Sequence, residues 1–143
     1  MDTVKNSLKL TPAGARKVMD AAMEAAKPAG RPVSVAVVDD GGHLIAFIRS
    51  DDAELYTIPV VIHKARAAAL TRFPTGRMSA AGNLRDDHHS LAITLAAGPD
   101  NFVSMEGGVP IKVNGVVVGG VAVSGAAKKD QEIAQTAADS LTK

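Results

Sequence analysis

Three neighbouring side chains on one predicted helix are the first candidates for chemistry. His63 and Arg66 are three residues apart, so they share a helix face, and Lys64 lies beside them. An imidazole can bind a metal ion or move a proton, and the two cations can hold an anionic group. An ordinary polar helix face, or a contact between subunits, would have the same composition. The spacing alone leaves both interpretations open.

A glycine-rich segment, Glu106-Gly107-Gly108-Val109-Pro110, is the second candidate. Adjacent glycines can adopt positive φ and bring backbone N–H groups close to a ligand, where successive amides hold a carboxylate. Glu106 could act as a base if it is buried. A turn that needs glycine only to enter a strand is the alternative. No phosphate-binding glycine motif is present, so nucleotide binding is not predicted.

The remaining histidines give weaker indications. His43 follows a turn over residues 39–42, whose two aspartates could fix its tautomer while it binds iron or acts as an acid or base. A half-exposed residue at a hairpin end is the interpretation we favour. His88 and His89 are adjacent, so on a helix they point about 100° apart and cannot easily share an ion. We expect them at a solvated helix start.

The composition excludes several classes of function. The chain has 143 residues and no cysteine, which rules out disulfides, thiolate metal sites and a cysteine nucleophile. A net charge of +1 and only 3% aromatic residues predict neither a nucleic-acid nor a membrane partner. The N-terminus lacks a secretory signal, and the longest weakly polar stretch, 115–127, is too short to span a bilayer. We therefore expect a cytoplasmic protein. The sequence contains no GxSxG elbow, so a serine hydrolase is not predicted.

Four helices are predicted from apolar periodicity and from their start and stop signals. The second begins at Thr57, read as a cap before Pro59, and turns His63, Lys64 and Arg66 away from the core. Its core-facing residues are Ile58, Val61, Ile62, Ala65 and Ala69. The four helices are expected over residues 11–27, 57–71, 84–97 and 130–141.

The strands are predicted mainly as hairpins. Apolar runs at 33–38 and 43–49 flank a turn, and runs at 111–113 and 116–124 flank Asn114-Gly115, which suits a type I′ turn. A further short strand is predicted at 102–105. Hairpins give an antiparallel sheet, so the chain is predicted to be a single α+β domain over residues 1–143.

Four segments in the same order resemble one family. They are VAVVDDGGHLIAFIRSDDA (Val35–Ala53), HKARAAALTRFPT (His63–Thr75), GGVPI (Gly107–Ile111) and GVVVGGVAVSGA (Gly115–Ala126). These are similar to the GlcG/HbpS-like haem-binding domains, which include the C-terminal domain of PduO-type proteins. The resemblance implies a profilin-like fold with a five-stranded antiparallel sheet and helices packed on it. It also implies homo-oligomers, from dimers to octamers, and roles in haem binding, haem degradation or support of catabolic enzymes.

The resemblance favours a small oligomeric domain that binds haem or a similar anionic ligand. His63 or His43 would bind the iron, and Lys64, Arg66 or the segment formed by Gly107, Gly108, Val109 and Pro110 would hold the acid groups. One alternative is a cofactor-free isomerase or lyase for a small carboxylated catabolite, in which Glu106, His43 or His63 moves a proton. Another is an accessory subunit. The first hypothesis requires the glycine segment and the helix with His63 to meet around a shared cavity.

Overall fold

A computed structural model describes residues 1–142 as an α+β fold with four helices and four strands. Short 3₁₀ turns follow the first helix and lie on either side of the last. Among the described residues, we find no helix with the length and apolar character needed to cross a membrane. In chain order the elements are α1 (Pro12–Ala26), β1 (Ser34–Asp39), β2 (Leu44–Arg49), α2 (Thr57–Thr71), α3 (Asp87–Ala97), β3 (Gly108–Val113), β4 (Val116–Ser124) and α4 (Asp130–Asp139).

The sheet is antiparallel throughout, in the order β2-β1-β4-β3. Both predicted hairpins are confirmed, and β1 and β4 form its centre. Consecutive residues of β1 are buried, and successive side chains of a strand point to opposite sides, so both faces of β1 are covered. Val35 and Val37 join the core with α1 and α4, whereas Ala36 and Val38 join the core with α2. The sheet therefore lies between two layers of helices.

The sheet has four strands, so the expected five-stranded sheet is wrong. Residues 102–105 form no strand, which leaves β3 as an edge strand that tolerates Pro110. Phe102 is only 5% exposed, and the residues after it line a hollow beside α2 and α3 instead of pairing with β3. Apolar content predicted a strand here, but the structure buries only Phe102 of this segment and leaves Met105 exposed.

The start of α2 also differs from the prediction. Thr57 is the first helical residue, and Tyr56 occupies the capping position without a side-chain hydrogen bond. The Thr57 hydroxyl is fully buried, donates to the Glu54 carbonyl and lies 2.9 Å from the Ser34 hydroxyl of β1. It therefore joins α2 to the sheet instead of capping the helix.

Candidate functional site

His63 lines an apolar cavity of about 270 Å³ between α2 and α3. The imidazole is half-buried, and it is the one ionisable group among the lining residues. The sequence alone could not indicate this cavity, because it forms between helices α2 and α3 and the segment that precedes β3. The lining residues are Val60, His63, Thr94, Pro99, Phe102, Val103, Ser104 and Met105.

Arg66, one turn further along α2, lines a second cavity of about 520 Å³. Its Nε donates to Asn101 Oδ1 at 2.8 Å, and its Nη1 donates to the Gly42 carbonyl at 3.1 Å. Phe102 lines both this cavity and the one at His63. His63 and Arg66 were predicted to share a helix face, and the structure places them in two adjoining cavities.

The periodicity predicted Lys64 on the polar side of α2, but the structure buries it. It is 3% exposed, and its Nζ lies 3.3 Å from both Asp130 Oδ2 and the Val123 carbonyl oxygen. Burial lowers the pKa of Lys64, and the attraction of Asp130 offsets part of that effect. The prediction failed because α4 and the end of β4 cover a face of α2 that the α2 sequence itself does not mark as buried.

The glycine segment is also not the open loop that the sequence suggested. Gly108, Val109 and Pro110 belong to β3 and are buried. The Gly107 N–H donates to Gln131 Oε1 at 2.7 Å, and the Gly108 N–H donates to the Thr75 hydroxyl at 2.9 Å. Both amides are therefore already used within the protein.

Close packing explains why glycine is needed in this segment. A Cβ atom on Gly107 would lie 2.8 Å from Lys64 Nζ, and one on Gly108 would overlap the Lys64 carbonyl oxygen. The glycine segment and α2 do meet, as predicted. At Gly107 and Gly108 they meet in direct contact with Lys64, with no space for a ligand between them.

Glu106 lies at the edge of a third cavity, of about 480 Å³, that also includes Lys64 and Asp130. Its side chain is exposed, so the burial on which its role as a base depended is not present. Val60 and Met105 line both this cavity and the one at His63. The three cavities thus follow one another along α2.

His43 is exposed at the hairpin turn. Asp39 Oδ1 accepts the backbone N–H groups of Gly41 and His43, each at 2.9 Å, so it stabilises the turn. Asp40 pairs with Lys9 at 2.9 Å, and this interaction holds the pKa of Asp40 below its ordinary value. The contacts of both carboxylates are thus to backbone or lysine, and neither orients the His43 ring as the sequence suggested.

His88 and His89 are exposed at the start of α3, as predicted. Asp86 caps this helix by accepting the His89 N–H at 2.7 Å. Within residues 1–142, no group of three or more histidine, aspartate or glutamate side chains is placed to hold a metal ion.

Arg85 and Phe102 are two residues of this region that the sequence analysis missed. The Arg85 guanidinium lies 5.1 Å from the centre of the Phe102 ring, and its Nη1 donates to the Gly76 carbonyl at 2.9 Å. Arg85 was expected inside the third helix, over residues 84–97, but α3 begins only at Asp87, so Arg85 lies just before it. Only its contact with Phe102 indicates a role for Arg85. The sequence does not say which of the three phenylalanines an arginine will contact, because that depends on the fold.

Comparison with known proteins gives consistent results. The family model described as "Haem degrading protein HbpS-like" matches residues 10–139. Protein GlcG of Escherichia coli K12 is 36% identical over 122 residues, which cover 85% of each chain. A double mutant of HbpS from Streptomyces reticuli has a TM-score of 0.79 and 33% identity, covering 96% of this chain and 90% of that one. The structure of a PduOC:haem complex has a TM-score of 0.77 and 25% identity, covering 93% and 95%.

Proposed function

Because the chain belongs to the HbpS-like family of haem-degrading proteins, we propose that it binds haem with His63 as the iron ligand. The observation that carries this proposal is the half-buried imidazole in a mostly apolar cavity that no other ionisable group lines. Imidazole nitrogen is a common axial ligand of haem iron, and an apolar lining favours burial of the macrocycle. The similarity to a protein solved with haem supports the haem part of this proposal.

The residues around His63 have separate roles in this proposal. Val60, Phe102 and Met105 provide apolar contact for the ring, and the imidazole binds the iron. Lys64 and the amides of the glycine segment take no part, since they already bind groups within the protein. His43 remains the alternative iron ligand.

Hemin titration followed at the Soret band tests this proposal. We expect a saturable shift in the wild-type protein. In His63→Ala, the shift should be altered and the affinity reduced by about tenfold or more, or about 1.4 kcal/mol. The matched control is His88→Ala, which removes an exposed imidazole from α3 and should behave as wild type. Absence of a saturable shift in the wild type would refute haem binding, and an effect of His43→Ala alone would move the ligand to the hairpin turn.

We also propose that the protein forms a homo-oligomer through α3. Leu91 and Leu95 are one turn apart on this helix and are 60% and 70% exposed. A second copy of the chain would remove this apolar surface from water. Sedimentation should give an assembly larger than one chain, and Leu95→Glu should dissociate it, whereas Val4→Glu in the exposed N-terminal segment should not. A monomeric wild type would refute the proposal.

A proton-transfer enzyme is the second candidate function, favoured by the cavity that holds Lys64, Asp130 and Glu106. A buried lysine with a lowered pKa beside a cavity is a common feature of active sites. Lys64 would move the proton of a small carboxylated substrate, and Arg31 or Lys128 would hold its acid group. Incubation of candidate acids in deuterated water should show exchange that Lys64→Met abolishes in protein that thermal unfolding shows to be folded. No exchange with any of them, while haem binds, would favour the first proposal.

A further inference from the structure

The cavity at Arg66 has a charge pattern that the haem proposal does not explain. Two arginines line it, Arg66 from α2 and Arg85 from the segment before α3, and no aspartate or glutamate does. Much of the remaining lining is apolar. It includes Leu70, Phe73, Ile93 and Phe102.

Both guanidinium groups lack an acidic partner within the described residues. The ion pairs found between residues 1 and 142 involve other cations. A guanidinium has five N–H donors. Arg66 uses donors to Asn101 and Gly42, and Arg85 uses one to Gly76, so each keeps donors free for a ligand.

Arg66 is also held in position before any ligand arrives. Its two hydrogen bonds hold the guanidinium at Nε and at Nη1. Gly42 has φ +85°, and a Cβ there would lie 2.8 Å from Arg66 Cγ, so glycine is what allows the arginine to pass. Arg85 is held over the Phe102 ring. Side chains that are already ordered lose little entropy when they bind.

We infer that this cavity binds a carboxylate attached to an apolar body. The planar guanidinium fork matches a carboxylate, and the apolar walls favour a hydrocarbon portion over a fully hydrated ion. Two sources have this chemistry: a free organic acid, or a propionate of haem bound next door at His63. The second source rests on the proposed function, and the first does not. Phe102 lies between the two cavities and would contact the apolar part in either case.

The first arm of the test uses a free acid and the full chain without haem. 3-Phenylpropanoate and its uncharged amide are titrated separately by calorimetry. We expect the acid to bind about tenfold or more tightly than the amide, the size of one charge-assisted hydrogen bond. Arg85→Gln should remove the preference, and Arg85→Lys, which keeps the charge but loses the fork, should keep part of it. Arg16→Gln, which alters an exposed arginine of α1, is the matched control.

The second arm compares hemin with its dimethyl ester at the Soret band. If a propionate occupies the cavity, hemin should bind about tenfold or more tightly than the ester, and Arg85→Gln should equalise them while the Soret position set by His63 stays unchanged. Arg66→Gln is the less useful variant, because it also loses the contacts to Gly42 and Asn101. Thermal unfolding of each variant verifies that it is folded.

The two arms separate this inference from the haem proposal. A preference for the charged ligand in either arm that disappears in Arg85→Gln supports the inference, and the arm identifies the source. Equal binding of charged and uncharged ligands in the first arm, with no preference for hemin in the second, overturns it. If hemin fails to bind at all, only the proposed function is refuted by that failure, and equal binding in the first arm then overturns the inference by itself.

Discussion

The two sides of α2 differ in how tightly they are packed. On one side, Lys64 and the glycine segment are in direct contact, and the Lys64 ammonium reaches Asp130. On the other side, His63 and Arg66 line cavities. The same helix thus provides a closely packed contact at the two glycines and the walls of cavities elsewhere, including the third cavity, which Lys64 also lines.

The sealed side depends on small residues. Ala65 and Ala69 are fully buried in the core with Ala36 and Ala122 of the sheet. A Cβ on Gly120 would overlap the Ala65 carbonyl oxygen, as one on Gly108 would overlap that of Lys64. Because these residues occupy little volume, the backbone of α2 approaches the strands closely and leaves no room for a guest.

The open side exists because α3 packs weakly. Ser90 is the one buried residue of this helix within the described chain, while Leu91 and Leu95 are exposed. Residues 99–105 then form only part of the wall between α2 and α3. Ligand space in this protein therefore lies where packing is incomplete, and adjacent glycines mark the place where it is most complete.

Filling the sealed side should have the largest effect on stability. In Gly108→Ala the new Cβ overlaps the Lys64 carbonyl oxygen, which cannot move without shifting α2. We expect no folded protein, or a loss of at least about 5 kcal/mol in the free energy of unfolding, measured by urea denaturation. Gly82→Ala is the control in the loop of the open side, where no atom lies within 4 Å and only the φ of +87° opposes alanine. Its cost should be about 1 kcal/mol. Equal losses in the two variants would contradict the comparison.

Removing the buried ammonium should have the next largest effect. Lys64→Met leaves the Asp130 carboxylate buried without its cation, which typically costs about 3 to 5 kcal/mol. Lys64→Met combined with Asp130→Asn removes the uncompensated charge and keeps an oxygen for the Ala126 N–H, so it should recover much of the loss. A double variant no more stable than Lys64→Met would show that the ion pair is not the cause.

The pH dependence of unfolding gives a second measurement of the same pair. Burial lowers the pKa of Lys64 below 10.5, so between the two values the unfolded chain binds more protons than the folded one. The free energy of unfolding therefore gains a contribution that grows as pH rises towards 10.5 and is lost as pH falls through the lowered pKa. Urea titrations should show this slope in Lys128→Met, which alters an exposed lysine, and should not show it in Lys64→Met.

The smallest effects should come from two buried hydroxyls. Ser90 Oγ on α3 is buried and has no hydrogen-bond partner among the described residues, whereas Ser34 Oγ pairs with Thr57 on the sealed side. Ser90→Ala should stabilise the protein slightly, by about 0.5 kcal/mol, and Ser34→Ala should destabilise it by about 1 kcal/mol. Thermal unfolding measures both. A clear loss in Ser90→Ala would indicate a partner for its hydroxyl.

Much of the fold could be predicted from local patterns. Asn114-Gly115 indicated the β3–β4 hairpin, and Thr11-Pro12 indicated the start of α1, because a turn or a cap depends on a few adjacent residues. The prediction of a strand at 102–105 was wrong, because a short apolar run is equally suited to a strand and to burial against helices. The prediction that Thr57 caps α2 was wrong, because its hydroxyl pairs with a residue of β1 instead of one in its own helix.

For the candidate site, the residue types were predictable and their surroundings were not. Helical spacing predicted His63 and Arg66 as neighbours on one helix face, but it did not indicate that they line two different cavities. The burial of Lys64 and the part played by Arg85 depend on α4 and on Phe102, which are distant in the chain.

The hairpins, the helices, the family and the absence of cysteine chemistry follow from residue type and local spacing, so the amino-acid order was enough to establish them. The sealing of an interface by the two glycines, and the cavities at His63 and Arg66, became evident only once the elements were packed together. Spacing fixes the direction in which a side chain points, whereas burial and charge pairing depend on the atoms that other elements bring to meet it.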